Sequence, residues 1–323
     1  MGDLDYVYAV ARIRVKEKSL LSDADMSQMA GLKDVKSVIG YLTDRGWGDT
    51  GTGNDPEAIL KAEEEKTLAV MKELKVDSDV FDLLSLPNLY HNLKTGIKEI
   101  CTSENNADAF FAHEKYGRDA IVKILSEKNY KALPEHMRAA AEKAYDIMLK
   151  TGDGQMCDVI VDRACLMAMI EAGKKSKHKL LREYAESTVA VADIRVAARA
   201  AKTGKNLYFL TEALSPCASF DVKRLARAAS EGEEPLMNYL TSQGFGDAAE
   251  ALKDSPSAFE RWCDNRLIQT IRPEKRNAFS LGPVIAWYLA RQNEIRTARI
   301  LLTAKANDFP EEAIRERLRE MYV

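Results

Sequence analysis

The chain has 323 residues, 46% hydrophobic and 30% charged, with a formal net charge of −3. That length can bury a large core, the composition is ordinary for a water-soluble globular protein, and the charge balance speaks against nucleic acid, whose binding needs a basic face. No apolar run nears the ~20 residues of a membrane helix, the start has no secretory signal or myristoylation pattern, and five cysteines without C-x-x-C spacing read as reduced thiols in a cytoplasm.

Apolar spacing predicts a first helix from an Asp3 cap to about residue 21, with Tyr6, Val10, Ile13 and Leu20 on one face and Glu17 on the same stripe. Shorter helices lead to a glycine-rich loop at 46–55. Pro56 restarts a helix, in which Glu63-Glu64-Glu65-Lys66 reads as a solvated face. Residues 81–101 form the next long helix, with Pro87 either kinking it or marking its start. Two or three short helices fill 104–146, punctuated by Asn105-Asn106 and Pro134. After a break at 151–154, the methionine-rich stretch 158–171 reads as an interior helix. A basic turn at 173–179 precedes a long helix at 181–202. Ser215-Pro216 opens another short-helix segment that ends at a loop over 244–247. A helix over 257–271 is stopped by Arg272-Pro273.

The last long helix starts at Pro283 and carries Val284, Tyr288, Ile295, Ala298 and Leu302 on one stripe, polar near Arg291 and Gln292. Asn307-Asp308 breaks it. Asp308 and Glu311 have capping-box spacing, which predicts a short helix running to the terminus with Ile314, Leu318 and Met321 on one face. No run of alternating β-branched residues appears, so the chain reads as all-α.

Three triplets share a pattern of polar, aliphatic and basic residues: Asn92-Leu93-Lys94, Asp193-Ile194-Arg195 and Glu294-Ile295-Arg296. Each stands 101 residues after the one before. Arg12-Ile13-Arg14 is a looser fourth copy. The stretches 40–49 and 238–247 agree at six of ten positions, and Asp162-Arg163 and Asp264 precede Asp193 and Glu294 by 31 and 30 residues. Equal spacing of this kind predicts a triplicated fold with helical repeats near 1–101, 102–203 and 204–323.

No catalytic centre emerges. His91, His113, His136 and His178 are scattered, without the i, i+4 spacing of a helical zinc site. Cys157 and Cys165 lie two turns apart and read as core packing. The glycines at 51–53 and 151–154 lack the phosphate-loop pattern and a preceding strand, so they read as turns. Carboxylates stand near lysine or arginine, as Glu311 does with Arg315, which is helix pairing. These readings predict no cofactor and no metal.

The candidate contact residues are cationic. Lys174, Lys175 and Lys177 form a basic turn, solvated in the plain reading and able to meet acidic partners or lipid headgroups in the other. Lys94, Arg195 and Arg296 either pair internally with Asp162, Asp264 and the acid of their own triplet, the favoured reading, or line a shared cavity and touch a partner.

The opening Tyr6–Arg14 with Glu17 and Leu20-Leu21 resembles the start of the C subunit of prokaryotic V-type or A-type ATPases, the counterpart of the d subunit of eukaryotic V-ATPases. The end matches as well, through Pro283, Tyr288, Glu294-Ile295-Arg296, Lys305 to Asn307, Ile314, Arg317-Leu318-Arg319 and Tyr322-Val323. Departures are Arg12, where the other copies carry Asn, Asp or Glu, and Cys217 to Ser219, where glycine is expected. The resemblance implies a single domain of three similar helical units in a pseudo-threefold funnel. It implies a non-catalytic component, present once per complex, on the cytoplasmic face of a membrane proteolipid ring. The funnel receives the tip of a central stalk made of the D and F subunits and transmits torque between ATP turnover and ion transport, binding neither nucleotide nor ion itself. Two rival readings are a helical-repeat adaptor unrelated to rotation, whose repeats are shorter than those here, and a helical enzyme using a perturbed acid such as Glu17.

Overall fold

The computed structural model of the chain describes residues 3–102, 107–112 and 115–323, and their side chains except at 3–5, 78 and 108. The expected cap at Asp3, the break at Asn105-Asn106 and His113 lie outside what is described.

The helices in chain order are α1 (Asp3–Glu17), α2 (Asp23–Ala30), α3 (Val35–Asp44), α4 (Pro56–Glu73), α5 (Ser78–Leu84), α6 (Leu86–Thr102), α7 (Arg118–Ser126), α8 (Glu135–Thr151), α9 (Gly154–Lys175), α10 (Lys179–Thr203), α11 (Leu207–Ala213), α12 (Val222–Glu231), α13 (Glu233–Ser242), α14 (Gly246–Asp254), α15 (Pro256–Ile271), α16 (Gly282–Ala306) and α17 (Glu311–Arg315). Short 3-10 turns lie at Ala107–Ala109, Tyr130–Ala132 and Arg272–Arg276. No strand occurs among the described residues, and the fold is all-α as the periodicity predicts. Local chemistry accounts for several starts. Asp55 caps α4 ahead of Pro56, Ser255 caps α15 ahead of Pro256, and Ser22 with Asp25 forms a full capping box on α2.

The contacts divide the chain into two units. The first comprises Met1–Asp77, His178–Tyr184 and Gly246–Val323; the second comprises Ser78–Lys177 and Ala185–Phe245. In the first unit α16 is the axis, touching α1, α2, α3, α4, α15 and α17. It is buried on most sides from Gly282 to Leu302, Arg291 and Glu294 included, with Arg296 exposed. Ile295, Ala298, Leu301 and Leu302 share one core with Leu21, Met26, Leu42, Trp47, Leu60, Ile314 and Met321. In the second unit α6 packs on α7, α8 and α9, and α8 lies along α9. Gly96 permits the α6–α7 approach, since a Cβ there would stand 2.5 Å from Ile121 Cγ2.

Several boundaries differ from the sequence reading. α1 stops at Glu17, and a turn through Lys18 and Ser19 leads on to α2. Pro87 falls in the first turn of α6, so it marks a start and not a kink. α8 is a 17-residue helix where short ones were expected. The loop expected over 244–247 is shorter, because α14 begins at Gly246. The chain end departs most. α17 has five residues, begins after Pro310 without a side-chain cap, and residues 318–323 have no regular structure. The reason is Asp308, which takes a left-handed φ of 53° and closes α16, with Phe309 N–H donating to Ala304 O at 3.0 Å. It is spent on ending one helix and does not cap the next.

The same helix ending recurs at several earlier helices. Trp47 N–H donates to Leu42 O, Asn129 N–H to Ile124 O and Phe245 N–H to Leu240 O, at 3.0, 2.9 and 2.9 Å. The residue before each donor is left-handed: Gly46 at 83°, Lys128 at 51° and Gly244 at 84°. This is the Schellman closure. The first and third are the stretches matched at six of ten positions; the second hides behind a lysine.

Candidate interaction site

The polar member of each triplet is buried and holds backbone. Asn92 on α6 accepts Phe111 N–H on Oδ1 at 2.9 Å and donates to Phe111 O and Tyr116 O at 2.9 and 3.1 Å. Asp193 on α10 accepts Ser215 N–H. Glu294 on α16 accepts Leu21 N–H at 2.5 Å. Leu93, Ile194 and Ile295 between them are fully buried or nearly so. Burial pushes the Asp193 carboxyl up to about 8 and the Glu294 carboxyl up to about 7.

Of the basic members, Arg296 is exposed, while Lys94 and Arg195 line a cavity. Lys94 Nζ meets Asp162 Oδ1 at 2.8 Å. Arg296, 59% exposed, stands 3.5 Å from Asp264, whose carboxylate also accepts Arg319 Nε at 2.7 Å. Arg296 meets the acid that the spacing had set against it, whereas Asp162, which the spacing had set with the Asp193 triplet, meets Lys94 instead. Lys94 and Arg195 share a cavity of about 580 Å³ in the second unit; Arg296 lines a separate hollow in the first, beside Leu289 and Asn293.

The larger cavity lies among α6, α9, α10 and α11, with Tyr90, Leu166, Met169, Val196 and Phe209 on its walls. Its charged lining is Lys94, Arg163, Arg195, Arg199 and Lys205 against Asp158 and Asp162. Both acids are engaged by lysines, Asp162 by Lys94 and Asp158 by Lys98 at 2.7 Å. The sequence reading did not single out Arg163, Arg199 and Lys205 as contacts. Arg199 was findable one turn after Arg195, where the i, i+4 rule puts both on one face. Arg163 follows Asp162 directly.

Lys174 and Lys175 end α9 and Lys177 follows, all three exposed. Lys174 pairs with Glu171 one turn back at 2.8 Å. The turn itself is shorter than expected, because Gly173 to Lys175 still belong to α9.

The expected solvated face at 63–66 needs correction at Glu63, which is 4% exposed. Its carboxylate accepts Arg291 Nη2 at 2.5 Å, Lys66 Nζ at 2.7 Å and Gly48 N–H at 2.9 Å. Arg291 also bonds Glu294 and covers the Trp47 ring. A buried acid survives here because a buried arginine bridges it to a second one. Glu17, the acid of concern on α1, is held by both of its oxygens to Arg14 at 2.8 Å.

The described histidines each meet a polar neighbour, and His178 stands in a group with Asp77 and Asp79. His91 meets Ala109 O at 2.9 Å, His136 meets the Tyr90 hydroxyl at 2.9 Å, and His178 lies 3.4 Å from Asp77. Cys157 and Cys165 are buried thiols pushed up to about 11 and 12 by desolvation. They are poor nucleophiles and poor ligands in that state. No helix among the described residues is long and apolar enough to cross a membrane.

Comparison with known proteins agrees with the resemblance carried by the two ends. Residues 9–317 match the sequence model of the ATP synthase (C/AC39) subunit family. The chain is 22% identical over 322 residues to the C subunit of the V-type sodium ATPase of Enterococcus hirae, covering 96% of this chain and 97% of that protein. It is 21% identical over 351 residues to the C subunit of the A-type ATP synthase of Methanocaldococcus jannaschii, covering 97% of this chain and 86% of that protein.

Proposed function

Because this chain belongs to the ATP synthase (C/AC39) subunit family, we propose that it is the non-catalytic rotor component joining a membrane proteolipid ring to a central stalk made of the D and F subunits. One copy sits on the cytoplasmic face of the ring and carries torque between ATP turnover and ion transport. The observation that carries this reading is coverage: the C subunit of a V-type ATPase is matched over 97% of its own length. A rotor coupling also needs rigid, all-helical elements, and buried anchors at Asn92, Asp193 and Glu294 tie the long helices to distant backbone.

The three repeats near 1–101, 102–203 and 204–323 form, in this proposal, a funnel with approximate threefold symmetry. The recurrence of a buried backbone anchor at Asn92, Asp193 and Glu294 supports it. Lys94, Arg195 and Arg296 are the positions proposed to meet the stalk. The exposed Lys174, Lys175 and Lys177 suit acidic or headgroup contacts, each charge contributing ~1 kcal/mol near an anionic surface.

Affinity capture of the tagged full chain from detergent-solubilised membranes tests the assignment. Recovery of stalk subunits and proteolipid is the expected result. Recovery of the intact, folded chain without any other ATPase component would overturn it and favour an unrelated helical adaptor.

A further inference from the structure

A hollow of about 240 Å³ lies in the first unit, where α4 and α16 meet the end of α1 and the turn after α3. Lys16, Ser19, Arg45 and Lys66 line it from the solvent side, and Trp47, Thr67, Trp287 and Arg291 form its buried wall. Trp287 and Arg291 stand one turn apart on α16, which puts both on one face. All of its charges are matched but one. Arg45 pairs with Asp25, Lys66 with Glu63, and Arg291 with Glu63 and Glu294. Glu63, the acid of this lining, is taken up by Arg291, Lys66 and the Gly48 N–H. Lys16 has no acid partner among the described residues.

Trp287 adds a second unmet group. Its indole Nε1 is buried without a hydrogen-bond partner, in a residue 4% exposed. An indole N–H can only donate, and a buried one usually finds an acceptor. The hydroxyls of the lining turn their protons elsewhere, Thr67 to Glu63 O at 2.7 Å and Ser19 to Lys16 O at 2.8 Å. What is left unmet is therefore one ammonium and one N–H, in a hollow walled by two indoles and Val70. Such a lining asks for an acceptor that carries one negative charge and a small apolar body.

We infer that this hollow is a binding site for a small organic carboxylate. Its oxygens take the Trp287 N–H and the Lys16 ammonium, and its carbon body lies against Trp47 and Val70. The volume falls below the roughly 300–1,000 Å³ of drug-sized pockets, which limits the ligand to a small acid. A phosphate suits it less, because phosphate recognition favours free guanidinium forks, and both arginines here already hold carboxylates. The inference concerns the first unit alone and holds whether or not the chain is a rotor component.

The chain has three tryptophans, so NMR of the isotope-labelled full chain shows few indole N–H signals, and Trp287→Phe identifies the one that matters. Where Trp287→Phe does not fold, Trp47→Phe and Trp262→Phe identify it by elimination. Acetate, benzoate, benzamide and inorganic phosphate are titrated at constant ionic strength. The two carboxylates are expected to shift the Trp287 signal saturably at millimolar concentration, and benzamide, the uncharged counterpart of benzoate, is not; nor is phosphate. A tighter fit for benzoate identifies an acid with an apolar body, and equal affinities identify a short one. Lys16→Gln is expected to weaken binding about tenfold, the loss of one charge-assisted contact. Lys253→Gln, an equal charge change at an exposed position on α14, is expected to leave it intact. The inference is overturned if both carboxylates leave the Trp287 signal in place in folded protein, or if benzamide or phosphate moves it as far. It is equally overturned if Lys16→Gln and Lys253→Gln weaken binding alike, or if a synthetic poly-glutamate peptide moves the signal while the free carboxylates do not.

Discussion

The carboxylate of Asp193 accepts the backbone N–H of Ser215 on both oxygens, at 3.0 and 3.1 Å, from a side chain fully withdrawn from solvent. Asn92 performs the same task on α6 without a charge, and Glu294 performs it on α16 beside Arg291. One structural duty is thus met by three side chains with different titration behaviour.

The Asp193 carboxyl is raised to about 8 in the fold, against about 3.9 in an unfolded chain. Below the lower value both states are protonated. Between the two values the unfolded chain releases a proton that the folded chain keeps, so stability falls as pH rises through that window. Asp193→Asn keeps an acceptor for Ser215 N–H and removes the titration. Melting curves from pH 5 to pH 9 are expected to show the variant gaining on the parent by a few degrees toward the alkaline end. Parallel curves would show that Asp193 does not titrate in this way.

Arg291 bridges Glu63 and Glu294 in the first unit, all three nearly buried. Removing the arginine strands two acids. Arg291→Ala is expected to cost about 3–5 kcal/mol in denaturant unfolding. Arg299→Ala, which breaks exposed pairs with Glu57 and Glu64, is expected to cost less than about 1 kcal/mol. Similar midpoints for the two variants would refute the distinction.

Gly244 closes α13 at a φ of 84° with nothing within 4 Å of where a Cβ would stand. Gly244→Ala therefore meets only the backbone penalty of the left-handed region, about 1–2 kcal/mol. Lys128, at 51° in the equivalent place on α7, already bears that penalty, so Lys128→Gly is expected to stabilise. Loss of its contact with the Tyr145 ring subtracts part of the gain. Chemical denaturation of both variants checks the signs, which must be opposite.

Arg296 is exposed and only loosely held by Asp264, so reversing its charge should spare the fold. In the proposed rotor role, Arg296→Glu is expected to leave ATP hydrolysis by the assembled complex in place while ATP-driven ion pumping falls. Circular dichroism and a melting curve first establish that the variant is native. A native variant that assembles and pumps in proportion to its hydrolysis would remove Arg296 from the coupling contacts.

The sequence by itself determined the class of fold, the long helices and the repeated anchors, because these rest on short-range signals. Apolar periodicity made α6, α10 and α16 legible, Asp55-Pro56 and Ser255-Pro256 marked true helix starts, and a 101-residue offset linked Asp193 to Glu294. The family resemblance likewise rested on residues read in order along the chain. What only the tertiary structure decided was burial and company. Glu63 looks like any residue of a charged run until Arg291, 228 positions away, arrives beside it. Lys128 carries no glycine signal, yet its backbone closes α7 as Gly46 closes α3. Arg163, Arg199 and Lys205 came to line one cavity only when distant helices packed around it. Local propensity is written in neighbours a few positions apart, whereas a charge's environment is set by whichever distant helices pack against it.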